Sequence, residues 1–234
     1  MSLVVILVLG VACVAVAVFG VKAWERRRAR MLKEAGAALG LRAYEKGEQL
    51  IVPSVEIMRK RRRTIGVVLE GEWKGSRIKI FDLSYPTSNA VARTTIFMLR
   101  LGSRRIPEFA AIRKSLLLYR PTVDLPRVES PPPGPARRHL LYAPNAEWPL
   151  GEDAAKFLQR TPGWSFEGRG SGIFLYRRGK RAPAQSLEAW IDEAYDLSME
   201  IAKRIPAPAP DVALEAEGEF GRKLTFSSKI SFRV

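Results

Sequence analysis

The sequence predicts an α+β protein: an N-terminal transmembrane helix followed by antiparallel sheet with packed helices, with two similar lobes as an open alternative. Three observations predict this class. The first 21 residues carry no charge, apolar residues between positions 67 and 101 recur with a period of two, and residues 186–204 form one amphipathic stripe. The first pattern is typical of a membrane anchor, the second of strands and the third of a helix that packs on a core.

The N-terminal segment has the length of a membrane span. A bilayer core about 30 Å thick needs roughly 20 apolar residues, and the uncharged run from Leu3 to Val21 supplies them if Lys22 snorkels at its end. A cleaved signal peptide would need a positive stretch before the run and small residues after it. Only Met1 and Ser2 precede it, and an arginine cluster follows, so we assign residues 1–23 to a transmembrane helix.

Charge asymmetry predicts the orientation of this span. Basic residues next to a span favour the cytoplasmic side, and on the C-terminal side Glu25 is the single acid among six bases. We therefore expect a single-pass protein of the plasma (inner) membrane with its N-terminus outside and its domain in the cytoplasm. The six bases are Lys22, Arg26, Arg27, Arg28, Arg30 and Lys33.

The middle of the chain predicts strands. "VVLEGEW" alternates between apolar and polar residues, residues 74–76 form a turn, and "RIKIFDLSY" is apolar on both faces, as is "RTTIFMLRL". Strands that are apolar on both faces are typical of the centre of a sheet covered on both sides. "IPEFAAIRKSLLLY" fits a short amphipathic helix or a strand.

These elements predict five regions. After the span, residues 24–120 form a first lobe that begins with a juxtamembrane helix ending near Gly40, and residues 121–136 form a proline-rich connector. Residues 137–205 form a second lobe, with a hairpin at 170–172 and a final helix that Ser186 can cap. Residues 206–234 form a Pro/Ala linker and tail. "VLEGEWKGSRIKIFDL" and "SFEGRGSGIFLYRR" echo each other, which is the basis for similar lobes.

Composition excludes several chemistries. The single cysteine, Cys13, lies in the predicted span, and the single histidine is His139. A zinc site or any other metal site is therefore not expected, and nucleophilic catalysis would need His139 as its base. We interpret His139 as an exposed residue at a strand end. "GRGSG" leads into a strand rather than a helix, so we interpret it as a hairpin turn, and no cofactor is expected.

Asp82 and Tyr85, in "FDLSY", are the candidate polar site. Asp82 shares a strand face with Ile78 and Ile80, so its carboxylate must be hydrogen-bonded or lie at the open strand end. In a structural role it would accept hydrogen bonds from backbone N–H groups of the following turn. In a functional role it would bind a cation or act as a base.

A run of five basic residues is the candidate partner site. The run either faces solvent or binds anionic lipid headgroups, and both interpretations are open. Lipid binding is open because each base near an anionic surface contributes about 1 kcal/mol. Nucleic acid is disfavoured because the chain shows no RNA-binding aromatic signature, zinc finger or helix-turn-helix. The run is Arg59, Lys60, Arg61, Arg62 and Arg63.

"GEWKGSRIKIFDLSY" followed by "IPEF" is similar to an uncharacterised family of bacterial, N-terminally membrane-anchored α+β proteins. That family has a strand ending in Phe-Asp-x-x-Tyr and a later Ile/Leu-Pro-x-Phe. The resemblance implies an anchor with an α+β domain and no known activity. The matching positions are Gly75, Phe81, Asp82, Tyr85, Pro107 and Phe109.

The sequence therefore favours a membrane-tethered binding or scaffold module that faces the cytoplasm and has an unknown ligand. In one interpretation, this module also docks on anionic lipid. The alternative is a membrane-associated hydrolase that uses Asp82 with other carboxylates. Protein partners and oligomeric state are not encoded in any recognisable motif.

Overall fold

The structure is a computed structural model, and it confirms the α+β class. It describes residues 3–44, 63–87, 90–102, 105–114, 123–131, 138–150, 153, 156–158, 161 and 163–204. One long helix, α1 (Leu3–Ala38), precedes the strands, and a second helix, α2 (Leu187–Ala202), follows them. The strands are β1 (Arg42–Tyr44), β2 (Thr64–Trp73), β3 (Ser76–Pro86), β4 (Val91–Arg100), β5 (Ile106–Arg113), β6 (His139–Tyr142), β7 (Ser165–Gly170) and β8 (Gly172–Tyr176).

The eight strands form one antiparallel sheet in the order β1-β2-β3-β4-β8-β7-β5-β6. Pairing of β4 with β8, in which Phe97 lies opposite Leu175, joins the two halves. The segment "IPEFAAIR" is a strand and not a helix, and it pairs with β6 and β7. The boundaries of the five regions and the similarity of the two lobes stay predictions.

The alternation predicted for the central strands is confirmed. In β3, Ile78 and Ile80 lie in the core on one side of the sheet, whereas Phe81 and Leu83 lie in the core on the other. The first side, which we call the helix face, is covered by α1 and α2. The second side is equally buried; the residues buried there are Val68, Phe81, Leu83, Tyr85, Ile96, Met98, Ala110, Ile112, Phe174 and Tyr176.

The second half of α1 packs on the helix face. Its inward residues follow the helical period, with Leu32 and Gly36 buried. A Cβ at Gly36 would lie 2.8 Å from Leu69 Cδ2, so glycine permits the close approach. The helix ends at Ala38, and Gly40, the predicted terminator, follows with a φ of +73° that suits glycine. The Leu41 N–H donates back to the Gly36 carbonyl at 2.8 Å. Among the described residues, no helix combines the length and the apolar character needed to cross a bilayer.

The C-terminal helix α2 lies across the helix face and buries the predicted stripe. Leu187, Ile191, Ala194, Leu197 and Ile201 are all buried in the core. The predicted cap is wrong in its chemistry: the residue at the N-cap position of α2 is the expected serine, but its side chain makes no capping hydrogen bond. A 3-10 turn over Ala184–Ser186 leads directly into the helix, so the chain already approaches it in a helical conformation.

Both predicted hairpins are confirmed. Lys74 and Gly75 have φ of +47° and +78°, the two positive values that a tight two-residue hairpin turn requires, between β2 and β3. Gly170 has φ of +60° and turns β7 into β8, so "GRGSG" is a hairpin, as predicted.

A bulge in β5 gives two of the family-like positions their structural role. Register shifts by one residue between Ile106 and Phe109, which places Pro107 in a bulge, where a strand tolerates its missing N–H. Phe109 then lies opposite Gly168, and its ring occupies the space that a Cβ on Gly168 would need.

We predict that Gly168→Ala lowers the free energy of unfolding by about 1–3 kcal/mol, because the Phe109 ring must move out of a packed core. Gly172→Ala is the matched control: its Cβ would meet Met98 Cε at 3.5 Å, an ordinary contact. Urea unfolding of the full chain measures both. Equal stability of the two variants would contradict the close contact between the Phe109 ring and Gly168.

Candidate functional site: a charge cluster between helix and sheet

A cluster of charged side chains lies where α1 leaves the sheet. We call it the latch: Glu25 and Arg28 on α1, Asp82 on β3, Arg93 on β4, and Arg181 in the segment after β8. These residues come from four separate parts of the chain, and each pairs with at least one other member. The latch is therefore a tertiary contact that only the complete fold assembles.

Asp82 is the centre of the latch. It is 5% exposed, and its Oδ2 lies 2.9 Å from Arg28 Nε and 3.3 Å from Arg181 Nε. Its Oδ1 accepts a hydrogen bond of 2.6 Å from the hydroxyl of Thr95 on the neighbouring strand. Both carboxylate oxygens are thus engaged, as burial of a charge requires.

The same contacts secure the segment that follows β8. Arg28 Nη2 donates to the carbonyl oxygen of Ala182 at 2.6 Å, and the Ala182 N–H donates to Thr95 Oγ1 at 2.9 Å. The Gly179 N–H donates to Thr94 Oγ1 at 2.9 Å. Helix α1, strand β4 and this segment are therefore held by one hydrogen-bond network, and none of them can shift without breaking it.

Glu25 closes the outer side of the latch. Its carboxylate lies 2.8 Å from Arg93 Nε and 2.9 Å from Arg181 Nη1, so the Arg181 guanidinium bridges Glu25 and Asp82. The guanidinium carbons of Arg93 and Arg181 lie 5.7 Å and 5.1 Å from the centre of the Trp24 ring, within cation–π range. The side chain of Glu25 is about a third exposed, so solvent screens this part more than the Asp82 pair.

The latch fixes geometry more than it adds stability. Desolvation of a buried ion pair offsets much of its Coulomb attraction, whereas removal of one partner leaves an uncompensated charge. The apolar contacts of Leu32 and Gly36 would tolerate small rotations of α1, but the paired oxygens of Asp82 would not. The latch therefore sets the rotation and height of α1 on the sheet.

The structure separates Asp82 from Tyr85. Asp82 lies on the helix face with Ile78 and Ile80, as predicted, while Tyr85 is 3% exposed on the opposite face. The two residues do not form one site. The hydrogen bonds to the Asp82 carboxylate come from side chains, rather than from the turn N–H groups expected from the sequence.

The family-like positions do not converge on a common site. Gly75 occupies a hairpin turn, Phe81 lies in the core of the second face, and Pro107 lies in the β5 bulge. Phe109 packs against Gly168 and meets Trp148 edge-on, with ring centres 5.6 Å apart. Each has a role in folding that accounts for its residue type.

Of the five-residue basic run, Arg59, Lys60, Arg61 and Arg62 lie outside the described residues. Arg63 is exposed and directly precedes β2. It therefore lies at the end of the sheet from which α1 departs, because its neighbour Thr64 pairs with Ser84, and Ser84 with Arg93 of the latch.

His139 is not the exposed residue that the sequence suggested. It is 1% exposed at the start of β6, and its Nε2 lies 2.9 Å from the carbonyl oxygen of Trp164. Burial, together with the positive charge of Arg113 and against the opposing hydrogen bond to Trp164, lowers the pKa of His139 to about 4. The imidazole is therefore neutral at pH 7, and Phe166 packs near it.

The described residues contain no group of three or more His, Cys, Asp or Glu side chains that could hold a metal ion. A small depression lies beside the paired strands β5 and β7, between Glu108, Asp124 and Arg169. Its most buried carboxylate, Glu167, accepts a hydrogen bond of 2.7 Å from the Tyr176 hydroxyl. In the latch, the second carboxylate is Glu25, and the Arg181 guanidinium contacts both acids. At the depression, Glu108 pairs with Arg169 at 3.2 Å.

Comparison with known proteins supports the fold. The structure resembles the crystal structure of the mycobacterial trehalose monomycolate transport factor A, TtfA, with a TM-score of 0.52 and 14% sequence identity. The likeness covers 79% of this chain and 99% of that chain. No protein-family model and no curated protein sequence matches the chain. Over that share of the chain, the fold thus resembles one seen in a solved protein.

Sequence reasoning missed the α1 half of the latch. Arg28 was assigned to the basic cluster beside the span, although its side chain turns inward to Asp82. A signal was present: positions 25, 28, 32, 36 and 39 recur with the period of one helical face. That period predicts that α1 packs on the domain through a face that includes Glu25 and Arg28.

We predict that Asp82→Asn lowers the free energy of unfolding by about 3 kcal/mol, because Arg28 and Arg181 lose their shared carboxylate. Asp196→Asn makes the same chemical change on the exposed side of α2 and should alter stability by less than about 0.5 kcal/mol. Urea unfolding of the full chain measures both. A rise in stability on substitution of Asp82 would contradict the structural role and favour a functional one.

We predict that His139 makes the stability of the chain fall in mild acid. Its folded pKa, about 4, lies below the unfolded value of 6.5, so the unfolded state binds the proton first. Its contribution is complete above about pH 6.5 and is lost as the pH falls towards 4. Between pH 7.5 and pH 4.5 the wild type should lose about 2–3 kcal/mol more than His139→Gln, by urea unfolding. Parallel pH profiles would contradict burial of a neutral imidazole.

Proposed function

We propose that the chain is a membrane-tethered, non-catalytic module that works by binding a partner. The observation that carries the proposal is the latch, which joins α1 to the sheet only four residues after the uncharged run ends at Val21. At about 1.5 Å per helical residue, the latch begins about 6 Å from that run. An anchor joined in this way holds the domain at a defined height and rotation, which benefits a docking surface.

The apolar surface of α1 beyond the latch supports the tether. Val16 and Phe19 are 73% and 71% exposed, and Val21 and Trp24 are about half exposed. Exposed apolar side chains along one helix are costly in water and favourable in a bilayer. Trp24 suits the membrane–water interface, where aromatic residues are enriched. We therefore propose that residues 1–23 span the membrane, as the uncharged sequence indicates.

The likeness to TtfA supports a binding role over catalysis. That protein is described as a transport factor for trehalose monomycolate, a role in which a protein assists the movement of a lipid. We carry over to this chain the class of role, an accessory factor in lipid transport at a membrane. The hydrolase alternative gains no support, because Arg28, Arg181 and Thr95 occupy the carboxylate of Asp82.

The domain is proposed to face the cytoplasm. Lys22, Arg26, Arg27 and Arg30 are exposed on the C-terminal side of the uncharged run, and bases beside a span are retained in the cytoplasm. Arg28 is turned inward, but the remaining bases keep the asymmetry.

We predict that the full chain stays in the membrane pellet after alkaline carbonate extraction. Leu9→Lys combined with Val14→Lys should release it, because each lysine at the centre of a span costs about 2.5–3.5 kcal/mol. Leu9→Ala combined with Val14→Ala is the matched control and should stay in the pellet. Release of the unsubstituted chain would refute the tether.

We predict that a C-terminal fusion to green fluorescent protein is fluorescent and that the corresponding alkaline phosphatase fusion is inactive, because the domain stays in the cytoplasm. The opposite pair of results would reverse the orientation while leaving the tether intact.

A further inference from the structure

One end of the sheet gathers basic residues from separate strands. We call it the exit end, because α1 leaves the domain there. The register places the start of β2, the end of β3 and the start of β4 at this end, since Thr64 pairs with Ser84 and Ser84 with Arg93. The end of β8 and the start of β7 lie there too, since Ser165 pairs with Tyr176.

The far half of the sheet ends at the same side. The Arg113 N–H, at the end of β5, donates to the Ser165 hydroxyl at 3.1 Å, and Arg113 pairs with His139 at the start of β6. The exit end therefore runs across β2, β4, β8, β5 and β6. Exposed bases flank these strands and the adjoining turn of α1, and we call them the basic rim: Lys22, Arg26, Arg27, Arg63, Lys114, Arg138 and Lys180.

Acidic residues of the described chain near this end are already paired. Glu25 and Asp82 are held by the arginines of the latch, and Glu193 pairs with Arg177. At the opposite end and on the outer strands, several bases pair with acids: Lys74 with Asp192, Lys79 with Glu70, and Arg169 with Glu108. Seven exposed bases lie along the exit end, and a row of bases on one surface attracts anions.

We propose that the basic rim docks on the phosphate groups of anionic membrane lipids. This rests on the proposed tether, and it adds the surface of the domain that contacts the membrane. The latch holds Glu25 about 6 Å below the uncharged run, so the exit end lies within the screening length of about 8–10 Å from the headgroups.

The placement favours lipid over nucleic acid. Nucleic-acid surfaces combine basic side chains with aromatic stacking or a groove-reading helix. The exposed aromatic residue near the rim, Trp24, instead lies on α1 between Arg93 and Arg181, at the level expected for a membrane interface.

The test places one fluorophore at either end of β2 and measures its distance from the bilayer. In a Cys13→Ser background, Thr64→Cys labels the exit end and Glu72→Cys the opposite end; both positions are exposed. The full chain is reconstituted in nanodiscs of neutral or anionic lipid that carry a headgroup quencher. We expect strong quenching at position 64 in anionic discs, weaker quenching in neutral discs, and little at position 72 in either. Salt at about 1 M, where the screening length is about 3 Å, should abolish the difference.

A charge variant assigns the effect to the rim. Lys114→Gln, Lys180→Gln and Arg138→Gln together should lower the ratio of docked to undocked chain on the order of 100-fold, since each base near the surface is worth about fivefold. The control triple, Arg42→Gln, Arg77→Gln and Arg105→Gln, removes the same charge from exposed positions away from the exit end and should leave docking unchanged.

Three outcomes would overturn the proposal. Equal quenching at position 64 in neutral and anionic discs would refute lipid docking while the chain remained tethered. Equal loss of docking in both triple variants would show that docking depends on the net charge of the chain and not on the position of the basic rim. Binding of short duplex DNA that competes with quenching, and that the rim triple alone abolishes, would assign the surface to nucleic acid. Failure of the chain to remain in the discs would instead refute the tether.

Discussion

The ion pair between Arg28 and Asp82 is the contact on which the arrangement of this protein depends. Leu32 and Gly36 provide the apolar contact of α1 with the sheet, but such packing specifies an angle only loosely. The paired nitrogens of Arg28 and the two oxygens of Asp82 add a directional constraint. Through Thr95 and Ala182, the same carboxylate also holds the segment that follows β8, so the two halves of the sheet share it.

This arrangement separates two tasks within one sheet. The helix face provides the core and the attachment of α1, while exposed bases lie along the exit end. Arginines that face inward, such as Arg28 and Arg181, satisfy buried carboxylates, whereas Lys180 and Arg63 face outward. The basic residues that give the chain its formal net charge of +15 therefore form two groups, one inward-facing and one outward-facing, with different roles.

Local features of the fold were predictable from the sequence. The period of two assigned the faces of β2, β3 and β4 correctly because successive side chains of a strand point to opposite faces of the sheet, and the stripe of α2 was equally clear. The hairpin turns at Gly75 and Gly170 followed from glycine's access to positive φ. Each of these signals lies within about a dozen residues, where side-chain periodicity and turn chemistry dominate.

Long-range features were not predictable in this way. Pairing of β4 with β8 joins residues about 80 positions apart, and no local pattern encodes it. Asp82 was recognised as a residue that needs partners, but its partners came from α1 and from the segment after β8 rather than from the adjacent turn. His139 was misplaced because its flanking arginines suggested a surface, whereas the strand alternation of β6 turns its imidazole inward.

The latch should make α1 and the sheet one rigid unit. A distance measurement by pulsed electron spin resonance tests this rigidity. In a Cys13→Ser background, spin labels at Phe19→Cys, beyond the latch, and Glu72→Cys, at the far end of β2, report the position of the helix relative to the sheet. With the latch intact, we expect a single narrow distribution of distances between the two labels in the full chain. The distribution should broaden when Asp82→Asn is added. A broad or multiple distribution with the latch intact would contradict it.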